Sequence, residues 1–182
     1  LYAMELMDDA EKIGLKNEVG RIANIIGCTF IKSENRDLDN ARSFFEYGIS
    51  IYKESEYMSY LWPIMVNYIV LSDLQKNYRN VFETVRSITN IFKNYKELVN
   101  NIDLQEEVFP KIYVAYLIII KILKKYQKMN VTKELASQLL VEFLDGIKNS
   151  FILKYANGKT YFPQKKLEKT KYSHGKIYLI TY

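Results

Sequence analysis

Apolar residues recur along most of this chain at the three- and four-residue spacing of a single helical face. Ala3, Met7 and Ala10 begin the pattern. Val19, Ile22, Ala23, Ile26 and Phe30 continue it as one stripe over 18–33. The polar stretch at 33–40, SENRDLDN, reads as a loop with Asp37 and Asp39 as capping candidates. Ala41, Phe44, Phe45, Gly48, Ile49 and Tyr52 then predict a helix over 39–54. Two more helices are predicted at about 57–75 and 78–97, with Pro63 in the first turn of the former or at a kink in it. Asp103-Leu-Gln-Glu106 has the spacing of a capping box and opens a long helical segment to about Lys128, interrupted at Pro110. After a turn at 129–131, Thr132 is read as the cap of a last helix with Leu135, Leu139, Leu140, Phe143 and Leu144 on its apolar face.

Beyond residue 147 the pattern changes. FILKY at 151–155 and the run from Thr160 to Phe162 flank Asn157-Gly158, a strong hairpin signal because both turn positions tolerate positive φ. IYLITY at 177–182 is β-branched and aromatic enough to form a third strand. The expectation is therefore a mainly α chain: a helical domain at 1–147 and a small β element, a hairpin or three strands, at 148–182.

Composition removes several classes. Of 182 residues, 48% are hydrophobic, so the chain is not a disordered one, and 7 Gly with 3 Pro argue against a turn-rich sandwich or barrel. One Cys and one His exclude a disulfide framework and a cysteine-based zinc site, and leave no metal or cofactor site to expect. The longest apolar run, IYVAYLIII at 112–120, is nine residues against the roughly 20 that a membrane span needs, so no membrane partner is expected. No secretory leader is visible, and the compartment expected is the cytoplasm. The chain starts in helical register without Met, which reads as a fragment of a longer protein.

Known catalytic signatures are missing. No phosphate loop, dinucleotide fingerprint, nucleophile elbow or zinc-protease motif occurs. Asp8-Asp9 and Glu106-Glu107 are adjacent pairs, which point to different faces of a helix and do not form an acid–base couple. Cys28 in mid-helix reads as a small buried thiol, His174 as a turn residue and Trp62 as a packing residue. The chain is read as non-enzymatic.

A repeat underlies the helices. Ala3, Met7 and Ala10 return 38 residues on as Ala41, Phe45 and Gly48, and 40 further on as Val81, Val85 and Ile88. Ala23-x2-Ile26-Gly27-x2-Phe30 lies between the first two sets. Together with Ala41-x3-Phe45, this resembles the tetratricopeptide repeat, best over residues 1–54. The next unit departs from the family, with Met65, Tyr68, Ile69 and Ser72 at its first-helix positions. The family's Trp is absent, and Lys53 stands where it often has Pro. The resemblance implies a right-handed α–α superhelix with a concave surface lined by the first helix of each pair. It places Arg21, Asn24, Cys28 and Ile31, then Val66, Asn67, Val70 and Asp73, on that groove. Arg21, Asn24 and Asn67 would hold an extended peptide, Asn bonding main-chain amides and Arg a carboxylate.

Charge adds a second reading. Residues 148–182 hold eight Lys and one acid, +7, whereas 1–147 hold 18 bases and 20 acids, −2. Lys159, Lys165, Lys166, Lys169 and Lys171, interleaved with Tyr, are candidates for a basic surface. The expected function is a protein- or peptide-binding scaffold, or the ligand-sensing region of a larger bacterial regulatory or signalling protein. The alternative is nucleic-acid binding through the basic element. A homodimer is a further candidate assembly.

Overall fold

The computed structural model describes residues 2–54, 58–94 and 102–149, with side chains over 2–54, 60–93 and 112–147. Seven helices occupy them: α1 (Tyr2–Lys12), α2 (Lys16–Lys32), α3 (Leu38–Glu54), α4 (Met58–Leu74), α5 (Tyr78–Asn94), α6 (Ile102–Tyr126) and α7 (Lys133–Asn149). Among the described residues there is no strand. The expected hairpin and third strand lie outside them.

Two prolines fail to end their helices. α6 runs unbroken through Pro110, contrary to the interruption expected there, and α4 runs through Pro63. An interior proline deletes one amide donor and crowds the preceding turn, costing about 3 kcal/mol. Apolar burial beyond each proline exceeds that: Ile64, Val66, Ile69 and Leu71 in α4, and Ile112, Ala115, Ile119 and Leu123 in α6, are all fully buried.

Helix ends are set by local hydrogen bonds. The Asp37 carboxylate accepts the Asn40 N–H at 2.9 Å and caps α3; that bond first, then the Asn40 side chain, holds its pKa below the usual range. Asn77 caps α5 in the same way, accepting the Asn80 N–H at 3.1 Å. α1 closes with Gly14 at φ +76, the amides of Gly14 and Leu15 reaching back to the carbonyls of Glu11 and Ala10. α4 closes identically through Lys76 at φ 57, its amide bonding Asp73 and that of Asn77 bonding Ser72. Thr132 stands directly before α7, as expected of its cap, and its carbonyl accepts the Ala136 N–H at 2.8 Å. Its hydroxyl donates back to the Tyr126 carbonyl at 2.8 Å, so it also satisfies the end of α6.

The helices form two compact units divided within α5, between Ile88 and Thr89. The boundary expected at 147/148 falls within α7, near its end at Asn149. In the first unit α2 packs against α1, α3 and α4, and α3 packs against α4. Glycines set the α2–α3 contact. A Cβ on Gly20 would lie 2.6 Å from Tyr52 Cζ, and one on Gly27 would strike the Phe45 ring. The glycines are seven apart on α2 and the rings seven apart on α3, so one antiparallel register satisfies both. Gly48 brings α3 onto α4: a Cβ there would sit 2.5 Å from Ile64 Cδ1 and 3.2 Å from the Gly20 carbonyl. The recurring residues Ala41, Phe45, Val81, Val85 and Ile88 are all fully buried. Phe30 and Phe44 stack at 5.8 Å beside the α1–α2 contact made by Ala10, Val19, Ile22 and Ile26.

In the second unit the end of α5 meets α6 and α7. Tyr116 contacts Phe92 and Phe143 edge to face, at 5.2 and 5.7 Å between centroids. Gly146 lets α7 approach Thr89 and Lys93. The buried stripe of α7 is Ala136, Leu139, Leu140, Phe143 and Ile147; Leu135 and Leu144, expected on it, are exposed. Small Ala136 takes the contact position in the first turn, which rotates the buried face by about one residue.

Candidate functional site

The positions expected to line a groove separate into two groups. Asn24, Cys28 and Asn67 come together, inside the first unit. Asn24 and Asn67 have no exposed surface and Cys28 has 2%. Asn67 Nδ2 donates to Asn24 Oδ1 at 2.8 Å and to Cys28 Sγ at 3.3 Å. Cys28 Sγ lies 4.0 Å from Asn24 Oδ1. Because α4 packs directly against α2, the face of α2 read as concave and open is the α2–α4 contact. Ile31, Val66 and Val70 are buried as well. A buried amide pair of this kind satisfies its own hydrogen bonds and pins the pairing of two helices.

Arg21 and Asp73 do not join that cluster. Arg21 is exposed and pairs with Glu18 of its own helix at 2.6 Å. Asp73 is half-buried near the end of α4. Cys28 is no nucleophile: burial pushes its thiol up to about 12, against a weaker lowering by Lys32, so it is protonated at neutral pH. No group of three or more metal-ligating side chains occurs among the described residues, and no described helix is long and apolar enough to cross a membrane. The candidate lysines 159, 165, 166, 169 and 171 lie outside the described residues.

An open face does exist, on α6. Leu117, Ile120, Lys121, Lys124, Lys125 and Lys128 line a depression of about 390 Å³. Tyr113, Leu117, Lys121, Lys124 and Lys128 follow spacings of four, four, three and four, which is one stripe of a helix. Tyr113 is 45% and Leu117 42% exposed, and all four lysines are exposed. The opposite face holds Ile112, Ala115, Ile119, Ile122 and Leu123 in the core, so the lysines project outward because the apolar positions are committed. Lys125 lies 5.5 Å from the centroid of the Tyr126 ring.

The stripe was legible in a count over a narrower window. Residues 121–133 contain five Lys and no acid. With the boundary drawn there, 1–120 hold 13 bases and 17 acids, −4, and 121–182 hold 13 bases and 4 acids, +9. Averaging over 1–147 had cancelled these lysines against the acids of α1.

Comparison with protein-family models, with curated proteins and with solved structures returns no match.

Proposed function

We propose that this chain is a divergent tetratricopeptide-like scaffold that binds an acidic, apolar-anchored protein segment on the outer face of α6. The observation that carries the reading is the single α6 stripe in which exposed Tyr113 and Leu117 lead into Lys121, Lys124 and Lys128. Apolar anchors supply area, and the lysines supply sign and steering. Lys rather than Arg favours a mobile acidic segment over planar bidentate recognition. The repeat reading is supported by the contacts of α2 with both α3 and α4, the arrangement of successive helix pairs, and by Gly27, Ala41, Phe45 and Gly48 at its close contacts. On this reading the protein is non-enzymatic, works in the cytoplasm, and serves as the binding or sensing region of a larger bacterial regulator.

The second reading is nucleic-acid binding, favoured by two basic stretches, 121–133 with five Lys and 148–182 with eight. One anisotropy experiment separates the two. A labelled 16-residue helical peptide of Leu and Glu and a labelled oligo(dT) are titrated with the full chain. The first reading expects micromolar peptide binding, weakened at least about tenfold by K121E/K124E, each reversed pair being worth roughly a kcal/mol. Tight oligo(dT) binding with a steep salt slope and no peptide binding selects the second.

A further inference from the structure

The chain itself carries a segment of the chemistry that the α6 stripe fits. α1 packs inward through Ala3, Met7 and Ala10. Its outer side presents Tyr2, Leu6, Asp9 and Ile13 at spacings of four, three and four, with Glu5 alongside. Tyr2 is 79%, Leu6 47% and Ile13 71% exposed, so large apolar groups there are left uncovered by any of the described helices. From Tyr2 to Lys12 the helix holds four acids and one Lys, −3. The stretch 121–133 opposite it in chemistry holds five Lys and no acid. The Lys-rich segment 148–182 has the same sign as the α6 stripe and is mismatched to it. α1 has the opposite sign.

We infer that α1 of one copy docks on the α6 stripe of a second copy, giving a head-to-tail assembly. The inference rests on the α6 stripe being a protein-binding face. Laid parallel, Tyr2 and Leu6 share the four-residue spacing of Tyr113 and Leu117 and sit on them. Asp9 then falls beside Lys121 and Lys124, one turn further along both helices. An antiparallel arrangement puts Tyr2 against the lysines and leaves the acids over Leu117. The two patches differ, so the contact is heterologous, and each copy keeps one α1 and one α6 face for further copies. α1 is about 16 Å long, less than a standard interface requires, so association is weak and grows with concentration.

Sedimentation equilibrium of the full chain tests this, from about 10 µM to about 1 mM at low and high salt. The expected result is a mean mass that rises past the 21.5 kDa monomer and its dimer at low salt and returns to the monomer at high salt. K121E/K124E alone and E5K/D9K alone each present like-charged faces and stay monomeric. An equimolar mixture of the two regains association, because each basic face meets an acidic one. All four positions are exposed, and circular dichroism of each variant confirms the helices. A wild-type chain that remains monomeric throughout overturns the inference. So does association that survives K121E/K124E, or a mixture that does not associate. The acidic probe peptide keeps the two proposals apart: if it binds a strictly monomeric chain, only the self-docking fails. If it does not bind and the chain is monomeric, both fail.

Discussion

The Phe45 ring rests on the α carbon of Gly27, closer than any side chain at that position would permit. Alanine in place of Gly27 gains up to about 1 kcal/mol of helix propensity but overpacks a contact worth more, at about 1–3 kcal/mol. Gly27→Ala is therefore expected to lower the urea midpoint, and Phe45→Leu in the same chain to recover part of the loss. A Gly27→Ala variant as stable as the parent would show that α2 and α3 can separate at no cost.

Lys76 offers the opposite case. It occupies the left-handed position that Gly14 fills at the end of α1, and a side chain there costs about 1–2 kcal/mol. Lys76→Gly is expected to raise stability by about 0.5–1 kcal/mol, read as a higher melting temperature. Gly14→Ala, in open space but at φ +76, is expected to lower it. Equal melting temperatures for Lys76→Gly and the parent would remove the strain argument.

The Asn24–Asn67 bond should behave as a coupled pair. Asn67→Leu takes a donor from Asn24 Oδ1 and from Cys28 Sγ, with an expected loss of about 1–3 kcal/mol. Replacing both asparagines by Leu should cost less than the two single changes together. A double-mutant cycle in denaturant reads the coupling, and strict additivity would dissolve the pair.

Alkali should loosen the fold. Burial raises the Cys28 thiol from 9.0 to about 12. Tyr68, through burial and its bond to Glu46, and Tyr47, through its bond to Glu11, rise from 10.0 to about 12, and burial raises Tyr52 also. Each folded-state pKa lies above the unfolded one, so the neutral forms add stability below pH 9 that is lost as pH climbs from about 9 to 12. Asp37 is lowered instead, so its share is present above pH 3.8 and disappears in acid. Urea midpoints across these two windows test both signs. A midpoint constant from pH 9 to 12 would contradict the first.

Much of the architecture could be read from the residues. Helix limits followed the apolar stripes, and the recurrence of Ala41, Phe45 and Gly48 as Val81, Val85 and Ile88 marked residues that are buried in both places. What the pattern could not supply was which helix covers which face. Asn24 and Asn67 look like polar groove residues in one dimension. Only the direct packing of α4 on α2 makes them partners. Gly20 likewise gives no signal until Tyr52, 32 residues later, is seen to lie on it. The lysines of α6 were visible in the letters but lost in too wide an average.

α4 is buried on most of its circumference, by apolar side chains apart from Asn67 and Ser72, with Leu61, Trp62, Ile64, Met65, Val66, Ile69, Val70 and Leu71 all buried. No other described helix would be so exposed to misassociation if it stood alone. Its place in the chain answers that hazard. α5, which follows it, meets it where Asn80 donates to the Tyr68 hydroxyl at 3.2 Å, but α2 and α3, which it also packs against, both precede it. During synthesis from the N-terminus, the stickiest segment emerges onto a surface that has already been made to receive it.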